Sequence, residues 1–122
     1  MVEVICDTSF LIHLATNRIL NYETIDVEIG LLSFVVPSVV LNELLKLKTN
    51  EQKKFNIEKT INFIKKFKII TINGSYADEA ILSYIKSNPS IVGTMDKELK
   101  KNIKKNGGTI LSFHKNNIVL ES

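Results

Sequence analysis

Short runs of β-branched and other apolar residues alternate along the chain with longer stretches in which apolar residues recur every three or four positions. The first pattern is typical of buried strands and the second of helices that pack by one face. Their alternation predicts an α/β fold of three layers, with a parallel sheet between helices. The predicted strands are residues 2–6, 34–36, 68–72, 91–93 and 109–113, with a final strand, 118–120, that turns back across residues 114–117. The predicted helices are residues 10–16, a short piece within 22–31, 38–47, 51–67, 76–87 and 97–106.

The length and composition are those of an ordinary globular protein. A chain of 122 residues with 44% hydrophobic and 24% charged residues suits a single domain, residues 1–122, with one core. The longest apolar run, residues 29–41, is interrupted by glycine, serine and proline and is shorter than the ~18 residues of a spanning helix. The N-terminus does not resemble a signal peptide. We therefore expect a cytoplasmic protein without a membrane segment, in which the single cysteine, Cys6, is a buried thiol.

The distribution of lysines is more informative than the net charge of +3, which by itself fits many proteins that never contact nucleic acid. The lysines cluster between residues 46 and 59, between 65 and 68, and between 97 and 105. Such clusters fit solvated helix faces and a rim that binds phosphate groups about equally well.

Four carboxylates occupy positions that should face the core or end a strand. In helical geometry Glu43 and Asp78 lie on the apolar side of their helices, whereas Glu79 points to the polar side. Asp96 opens the last helix in line with its apolar residues, and Asp7 closes the first strand. In a parallel sheet these positions converge on the carboxyl edge, where α/β proteins bind ligands. Inward-pointing acids repel one another unless a cation or protons neutralise them, so the grouping predicts a site for Mg²⁺ or Mn²⁺.

Each acid also has a local alternative. Asp78 follows Ser75 at the spacing of a capping box. Asp96 could be a first-turn acid favoured by the helix dipole, and Asp7 could cap a helix. Glu43 has the weakest alternative, because no basic residue lies one turn away on its own apolar face.

The order and spacing of these motifs resemble the PIN domain over nearly the whole chain, and most closely the small archaeal PIN proteins related to ribosomal-RNA processing factors. The segments that carry the resemblance are 4–11 (VICDTSFL), 36–44 (VPSVVLNEL), 77–82 (ADEAIL), 91–99 (IVGTMDKEL) and 108–113 (GTILSF). The resemblance implies the strand order 3-2-1-4-5 and a metal-dependent ribonuclease. In such an enzyme a metal-activated water attacks the RNA phosphodiester.

The resemblance also implies roles for particular residues. The residues that match the Mg²⁺ or Mn²⁺ ligands are Asp7, Glu43, Asp78 and Asp96. The residues whose hydroxyls would orient carboxylates or water are Thr8, Ser9 and Thr94. The residues expected to contact RNA are Lys46, Lys97, Lys100 and Lys101. Family members often pair, so a homodimer is expected as well, although the sequence indicates no interface.

Two positions depart from the family pattern, which usually has asparagine where this chain has Ser9 and Met95. Ser9 keeps a hydroxyl, and the Met95 side chain offers no useful donor. Both changes leave the four carboxylates in place. They favour slightly an alternative in which the fold no longer cuts RNA and serves as an RNA-binding or ribosome-assembly module.

Two further alternatives belong to different classes. A VapC-type toxin ribonuclease, kept inactive by an antitoxin partner, fits the same residues. A phospho-acceptor receiver domain has a similar fold but needs an aspartate at the end of its third strand, where this chain has Ile72 and Asn73. His13 and His114 lack the spacing of metal ligands, and the chain has no glycine-rich phosphate loop.

Overall fold

The computed structural model describes residues 2–21 and 32–121. The strands are β1 (Val2–Cys6), β2 (Leu32–Pro37), β3 (Lys68–Ile70), β4 (Ile91–Gly93), β5 (Thr109–His114) and β6 (Asn117–Glu121). The helices are α1 (Thr8–Thr16), α2 (Ser38–Leu47), α3 (Lys54–Phe63), α4 (Ala77–Ser87) and α5 (Lys97–Lys105), with a 3₁₀ turn, Ile64–Lys66, after α3. The predicted helical piece within residues 22–31 lies outside the described residues.

The strands form one sheet in the order β3-β2-β1-β4-β5-β6. The first five are parallel to their neighbours, and β6 runs antiparallel to β5. The predicted order 3-2-1-4-5 and the returning last strand are both confirmed. The hairpin between β5 and β6 has positive φ at its two central residues, Lys115 (49°) and Asn116 (65°). That backbone lets a two-residue turn follow the natural twist of the strands.

The direction in which successive strands are added reverses at β1. The chain adds β2 and β3 on one side of β1 and then crosses to place β4 and β5 on the other side. The backbone N–H of Asp7 donates to the carbonyl of Gly93 at 2.9 Å, so the carboxyl ends of β1 and β4 lie side by side. In open parallel sheets this reversal leaves a crevice beyond the strand ends in which ligands bind.

The core fills both faces of the sheet. Val4, Val36, Val92 and Ile110 are fully buried on the strands. Helices α1, α2 and α3 pack against one another, and α4 packs against α5. Helix α2 also contacts α4. Since crossovers between parallel strands are nearly always right-handed, the reversal at β1 puts the helices before and after β3 on opposite faces, in agreement with the predicted layers. The thiol of Cys6 is buried as predicted, and burial, with a smaller contribution from neighbouring Asp7, raises its pKa.

One predicted helix is shorter than expected, because residues 51–53 form a turn instead of the first helical turn of α3. The side-chain oxygen of Asn50 accepts a hydrogen bond from the N–H of Gln52 at 3.0 Å. Such a local bond competes with helix formation. At its other end the predicted helix tightens into the 3₁₀ turn before β3. None of the described helices is both long enough and apolar enough to cross a bilayer.

Gly93 at the end of β4 lets α1 approach the sheet closely. A Cβ atom at this position would lie 2.9 Å from the buried ring of Phe10. The ring also stacks on Phe113 of β5, with centroids 4.8 Å apart, so it has little freedom to move away. The absence of a side chain at Gly93 therefore sets the distance between α1 and the strand ends that border the crevice.

We predict that Gly93→Ala lowers the free energy of unfolding by about 1–3 kcal/mol, because the added methyl group overpacks the contact with Phe10. Urea or thermal unfolding followed by circular dichroism measures the effect. Ser83→Ala, at an exposed position of α4, is the control and should be nearly neutral. Equal stability of the two variants would contradict the packing argument.

Candidate active site

The four predicted carboxylates lie together in a pocket of about 290 Å³, which we call the acidic pocket. Each arrives on a different part of the fold. Asp7 directly follows β1, Asp96 follows β4, Glu43 comes from the second turn of α2, and Asp78 comes from the first turn of α4. The rest of the lining consists of Thr8, Ser9, Ile12 and Ala77. The pocket thus lies in the crevice where the direction of strand addition reverses.

Asp7 is the buried member of the pocket, with 6% of its surface exposed. Its Oδ1 accepts hydrogen bonds from the N–H of Phe10 and the hydroxyl of Ser9, each at 2.9 Å. Its Oδ2 accepts a hydrogen bond from the hydroxyl of Thr94, which is itself buried. Burial raises the pKa of the Asp7 carboxyl, because the three hydrogen bonds only partly offset the loss of hydration. Asp7 is also the N-cap of α1. It therefore has both the capping role that its sequence position allowed and a place in the pocket.

Glu43 is half-buried and connects three helices. Its Oε1 accepts from the hydroxyl of Thr8 at 2.9 Å, and its Oε2 accepts from the backbone N–H of Ala77 at 2.9 Å. The bond from Ala77 satisfies one of the N–H groups at the start of α4 that have no partner within the helix. The N-cap residue Tyr76 makes no side-chain capping bond there. The capping box predicted for Ser75 and Asp78 is therefore not formed. A carboxylate that is distant in sequence takes its place.

Asp96 is the N-cap of α5 rather than a residue of its first turn. Its Oδ1 accepts from the N–H groups of Glu98 (2.9 Å) and Leu99 (3.0 Å). Its own N–H donates to the hydroxyl of Thr94 at 3.1 Å. Since Thr94 also donates to Asp7, one buried threonine positions two carboxylates of the pocket.

The expectation that all four carboxylates point into apolar surroundings is wrong. Only Asp7 is buried. Glu43 is half-buried, and Asp78 and Asp96 are exposed. The physical reason is that helical side chains lean towards the N-terminus of their helix. An acid at the very start of a helix therefore projects beyond the edge of the sheet, even when its position is in line with core residues. Water in the open pocket screens the repulsion among these acids.

The donor set suits a hard cation, although it is not a closed cage. Within residues 2–21 and 32–121, no three Asp, Glu, His or Cys side chains are arranged to hold one ion together. Each carboxylate of the acidic pocket nevertheless keeps acceptor sites beyond its hydrogen bonds. In the described contacts Asp78 and Asp96 use Oδ1 alone. Mg²⁺ usually takes one or two carboxylates and keeps several waters, which matches such an open set.

The four carboxylates also lack cationic partners in the described part of the chain. The ion pairs there join Glu3 to Lys68, and Glu121 to Lys100 and Lys104. The acidic pocket therefore keeps its negative charge available to a cation.

The two positions that depart from the expected pattern both contribute to the hydrogen-bond network. The Ser9 hydroxyl donates to Asp7 and accepts from the backbone N–H of Met95 at 3.3 Å. The bond uses the backbone N–H of Met95, which any residue other than proline would also offer, and the Met95 side chain has no donor, as expected. The bond between Ser9 and Met95 joins the start of α1 to the loop before α5.

The lysines predicted to contact RNA differ in their surroundings. Those of α5 line a groove of about 640 Å³ that consists of Lys97, Lys100, Lys101, Lys104, Lys105 and Glu121. Lys100 and Lys104 lie 3.0 and 3.2 Å from the Glu121 carboxylate. The hydroxyl of Ser112 and these lysines lower the pKa of Glu121 to about 2, so Glu121 stays ionised well below neutral pH. Lys97 and Lys101 are exposed and have no ion pair among the described residues.

The fold and the pocket define a doubly wound α/β protein with an acidic site beyond its strand ends. The chain matches the family described as "PIN like domain" over residues 4–116, and it belongs to that family. Ribonuclease VapC4 of Methanocaldococcus jannaschii is 34% identical over 112 residues, which cover 87% of this chain and 86% of that protein.

Two solved structures share the fold. The PIN domain endonuclease Utp24 superimposes with a TM-score of 0.79 at 26% identity, over 98% of this chain and 90% of that chain. VapBC2 from Rickettsia felis, bound to a DNA fragment from its promoter, superimposes with a TM-score of 0.61 at 14% identity, over 98% of this chain and 100% of that chain. The second likeness concerns the fold alone.

We predict that Glu43→Gln lowers the free energy of unfolding in chelator by about 1–2 kcal/mol. The amide has one acceptor oxygen. When that oxygen faces the N–H of Ala77, the hydroxyl of Thr8 has to accept from the amide instead of donating to it, both bonds lose their charge assistance, and the start of α4 loses a favourable charge. Asp78→Asn is the matched control, because the described bond of Asp78, from the N–H of Glu79, needs only one oxygen. Equal destabilisation of the two variants in urea titrations would contradict the capping role of Glu43.

We also predict a pH dependence that originates at Asp7. Because the folded-state pKa of Asp7 is raised above its ordinary value of 3.8, the folded protein binds this proton more tightly than the unfolded chain does. The stabilisation is absent above the folded-state pKa and grows as the pH falls through it towards 3.8. In chelator, the free energy of unfolding of the wild type minus that of Asp7→Asn should therefore rise from pH 7 to pH 4. A difference that does not change with pH would contradict the assignment.

Proposed function

We propose that this protein is an endoribonuclease that hydrolyses RNA phosphodiester bonds with Mg²⁺ or Mn²⁺ bound in the pocket of Asp7, Glu43, Asp78 and Asp96, directly to one or two of these carboxylates and to the others through the waters of the ion. The observation that carries the proposal is that these four carboxylates line one pocket without an ion pair in the described chain. Further support comes from the identity with a protein named ribonuclease VapC4 and from the likeness to the endonuclease Utp24.

The residues of the pocket prepare it for this chemistry before substrate binds. Asp7 is held in one orientation by Phe10, Ser9 and Thr94, so its remaining acceptor site on Oδ2 has a set direction. Thr8 holds Glu43 in the same way. When bound, the divalent ion would supply a water of lowered pKa and offset charge on the phosphate oxygens.

The hydroxyls near the pocket are positioning groups rather than nucleophiles. Those of Thr8, Ser9 and Thr94 already donate to carboxylates. Hydrolysis by an activated water needs no nucleophile from the protein, which agrees with this use of the hydroxyls. Lys97, which follows Asp96 at the start of α5, and Lys101, one turn further along, are exposed cations that could attract the RNA backbone towards the negative pocket.

The alternatives within this class differ in their substrate and partner. A toxin ribonuclease controlled by an antitoxin is supported by the identity with VapC4, and a role in ribosomal-RNA processing by the likeness to Utp24. An RNA-binding module without activity has less support, because Ser9 and Met95 preserve the network around Asp7 instead of breaking it.

We predict that Asp7→Asn cleaves single-stranded RNA in Mn²⁺ at least about a hundredfold more slowly than the wild type. Even the loss of a residue that only hydrogen-bonds to a metal ligand typically lowers activity or metal affinity about 10–100-fold. Ribosomal-RNA precursor and tRNA are assayed with Mn²⁺, with Mg²⁺ and with chelator. Glu79→Gln is the matched control. Glu79 is the exposed acid next to Asp78 on α4, and it does not line the acidic pocket. The Glu79→Gln variant should therefore cleave like the wild type.

A second measurement separates metal binding from activity. Mn²⁺ should raise the melting temperature of the wild type and of Glu79→Gln, because a ligand of the folded state stabilises it, and should leave Asp7→Asn unchanged. Wild-type cleavage by Asp7→Asn, or equal stabilisation of all three proteins by Mn²⁺, would refute the proposed site.

A further inference from the structure

A second pocket, of about 390 Å³, adjoins the acidic pocket. Its lining consists of Val39, Asn42, Glu43, Lys46, Gly74 and Ser75, and we call it the side pocket. Glu43 lines both pockets. A molecule bound in one pocket therefore lies next to a molecule bound in the other.

Two polar side chains of the side pocket are free to bind a ligand. Asn42 and Lys46 are both exposed, and in the described part of the chain neither side chain has a hydrogen bond or an ion pair. The amide of Asn42 offers donors and an acceptor, as the edge of a nucleobase requires. The ammonium of Lys46 offers a charge for a phosphate. The amide of Asn42 and the ammonium of Lys46 can donate hydrogen bonds, whereas the carboxylates of the acidic pocket only accept them.

Tyr76 is a chain neighbour of both pockets, although its own side chain is not part of the lining of either. It stands between Ser75, which lines the side pocket, and Ala77, which lines the acidic pocket. Tyr76 is 65% exposed, and within the described residues its ring packs against no other ring. A large aromatic side chain held in solvent at this point is a surface on which a base can stack.

We propose that the side pocket is a nucleotide subsite. An unpaired nucleotide next to the phosphate in the acidic pocket binds there, with its base stacked on Tyr76 and its backbone contacted by Lys46. This inference rests on the proposed function, because it takes the ligand of the acidic pocket to be an RNA phosphate.

The electrostatics of the acidic pocket make such a subsite useful. Until a cation is bound the four carboxylates repel an RNA backbone, so groups outside that pocket help to hold the phosphate in place. Base stacking supplies it without depending on charge. A base within a duplex is not available to stack on protein, so the subsite favours single-stranded RNA over double-stranded RNA of the same sequence.

The test measures RNA binding separately from cleavage. In an Asp7→Asn background, which removes one repelling charge and the proposed activity, binding of a fluorescent single-stranded oligoribonucleotide is followed by anisotropy. Adding Tyr76→Ala should weaken binding about tenfold, whereas Tyr76→Phe should keep it within about twofold, because the ring does the stacking. Phe55→Ala is the matched control. Phe55 is a 77% exposed aromatic residue of α3, and neither it nor its chain neighbours line either pocket, so the variant should bind like the background.

Lys46 is tested through the salt dependence of the same binding. Lys46→Gln should reduce the slope of log affinity against log salt by about 0.7, the value for one phosphate contact with a single strand. Lys59→Gln, on α3 and outside both pockets, should leave the slope unchanged. Duplex RNA of the same sequence should bind more weakly and should not respond to Tyr76→Ala.

The outcomes separate this inference from the proposed function. If the wild type cleaves RNA but Tyr76→Ala binds as tightly as the background, the subsite is refuted and the nuclease stands. If the wild type cleaves nothing but Tyr76→Ala weakens binding, the nuclease is refuted and the nucleotide site stands. Equal losses for Tyr76→Ala and Phe55→Ala, or no measurable binding of single-stranded RNA, would overturn the subsite.

Discussion

The carboxylate of Asp7 is buried, and a buried charge is costly unless hydrogen bonds replace its lost water. Its donors come from two places, the first turn of α1 and Thr94 just beyond β4. Satisfying this one group therefore holds the ends of β1 and β4 and the start of α1 together. Thr94 extends the arrangement to the N–H of Asp96, so the position of a second acid follows from the first.

Glu43 holds three helices together, as Asp7 holds the strand ends together. By accepting from Thr8 of α1 and from the N–H of Ala77 of α4, it joins α2 to two neighbours. The local and the functional interpretations of these acids are thus not exclusive. Asp7, Glu43 and Asp96 each hold a helix start, and in doing so they stay in place around a pocket that keeps acceptor sites for a cation. The hydrogen bonds that stabilise the helix starts use some lone pairs of these carboxylates, and the proposed cation would use others.

Periodicity and turn residues predicted the strands and the helices well, and the family resemblance predicted the strand order. The particular failures share a cause. Asp78 lies in line with buried residues of α4, yet it is exposed, because it stands in the first turn of the helix, beyond the edge of the core. Lys100 is in the predicted basic cluster, yet it is paired with Glu121 of β6. The hydrogen-bond partners of Glu43 were not predicted either. In each case the decisive neighbour or boundary is distant along the chain.

The sequence by itself determined which segments become strands and helices and which acids stand at their ends, because periodicity and turn chemistry act over a few residues. The tertiary structure alone decided which of those acids is buried and what each contacts. The bond from Thr94 to Asp7 spans 87 residues, and the bond from Ala77 to Glu43 spans 34. Contacts over such separations exist only after the chain has crossed from one side of the sheet to the other, so no local pattern encodes them.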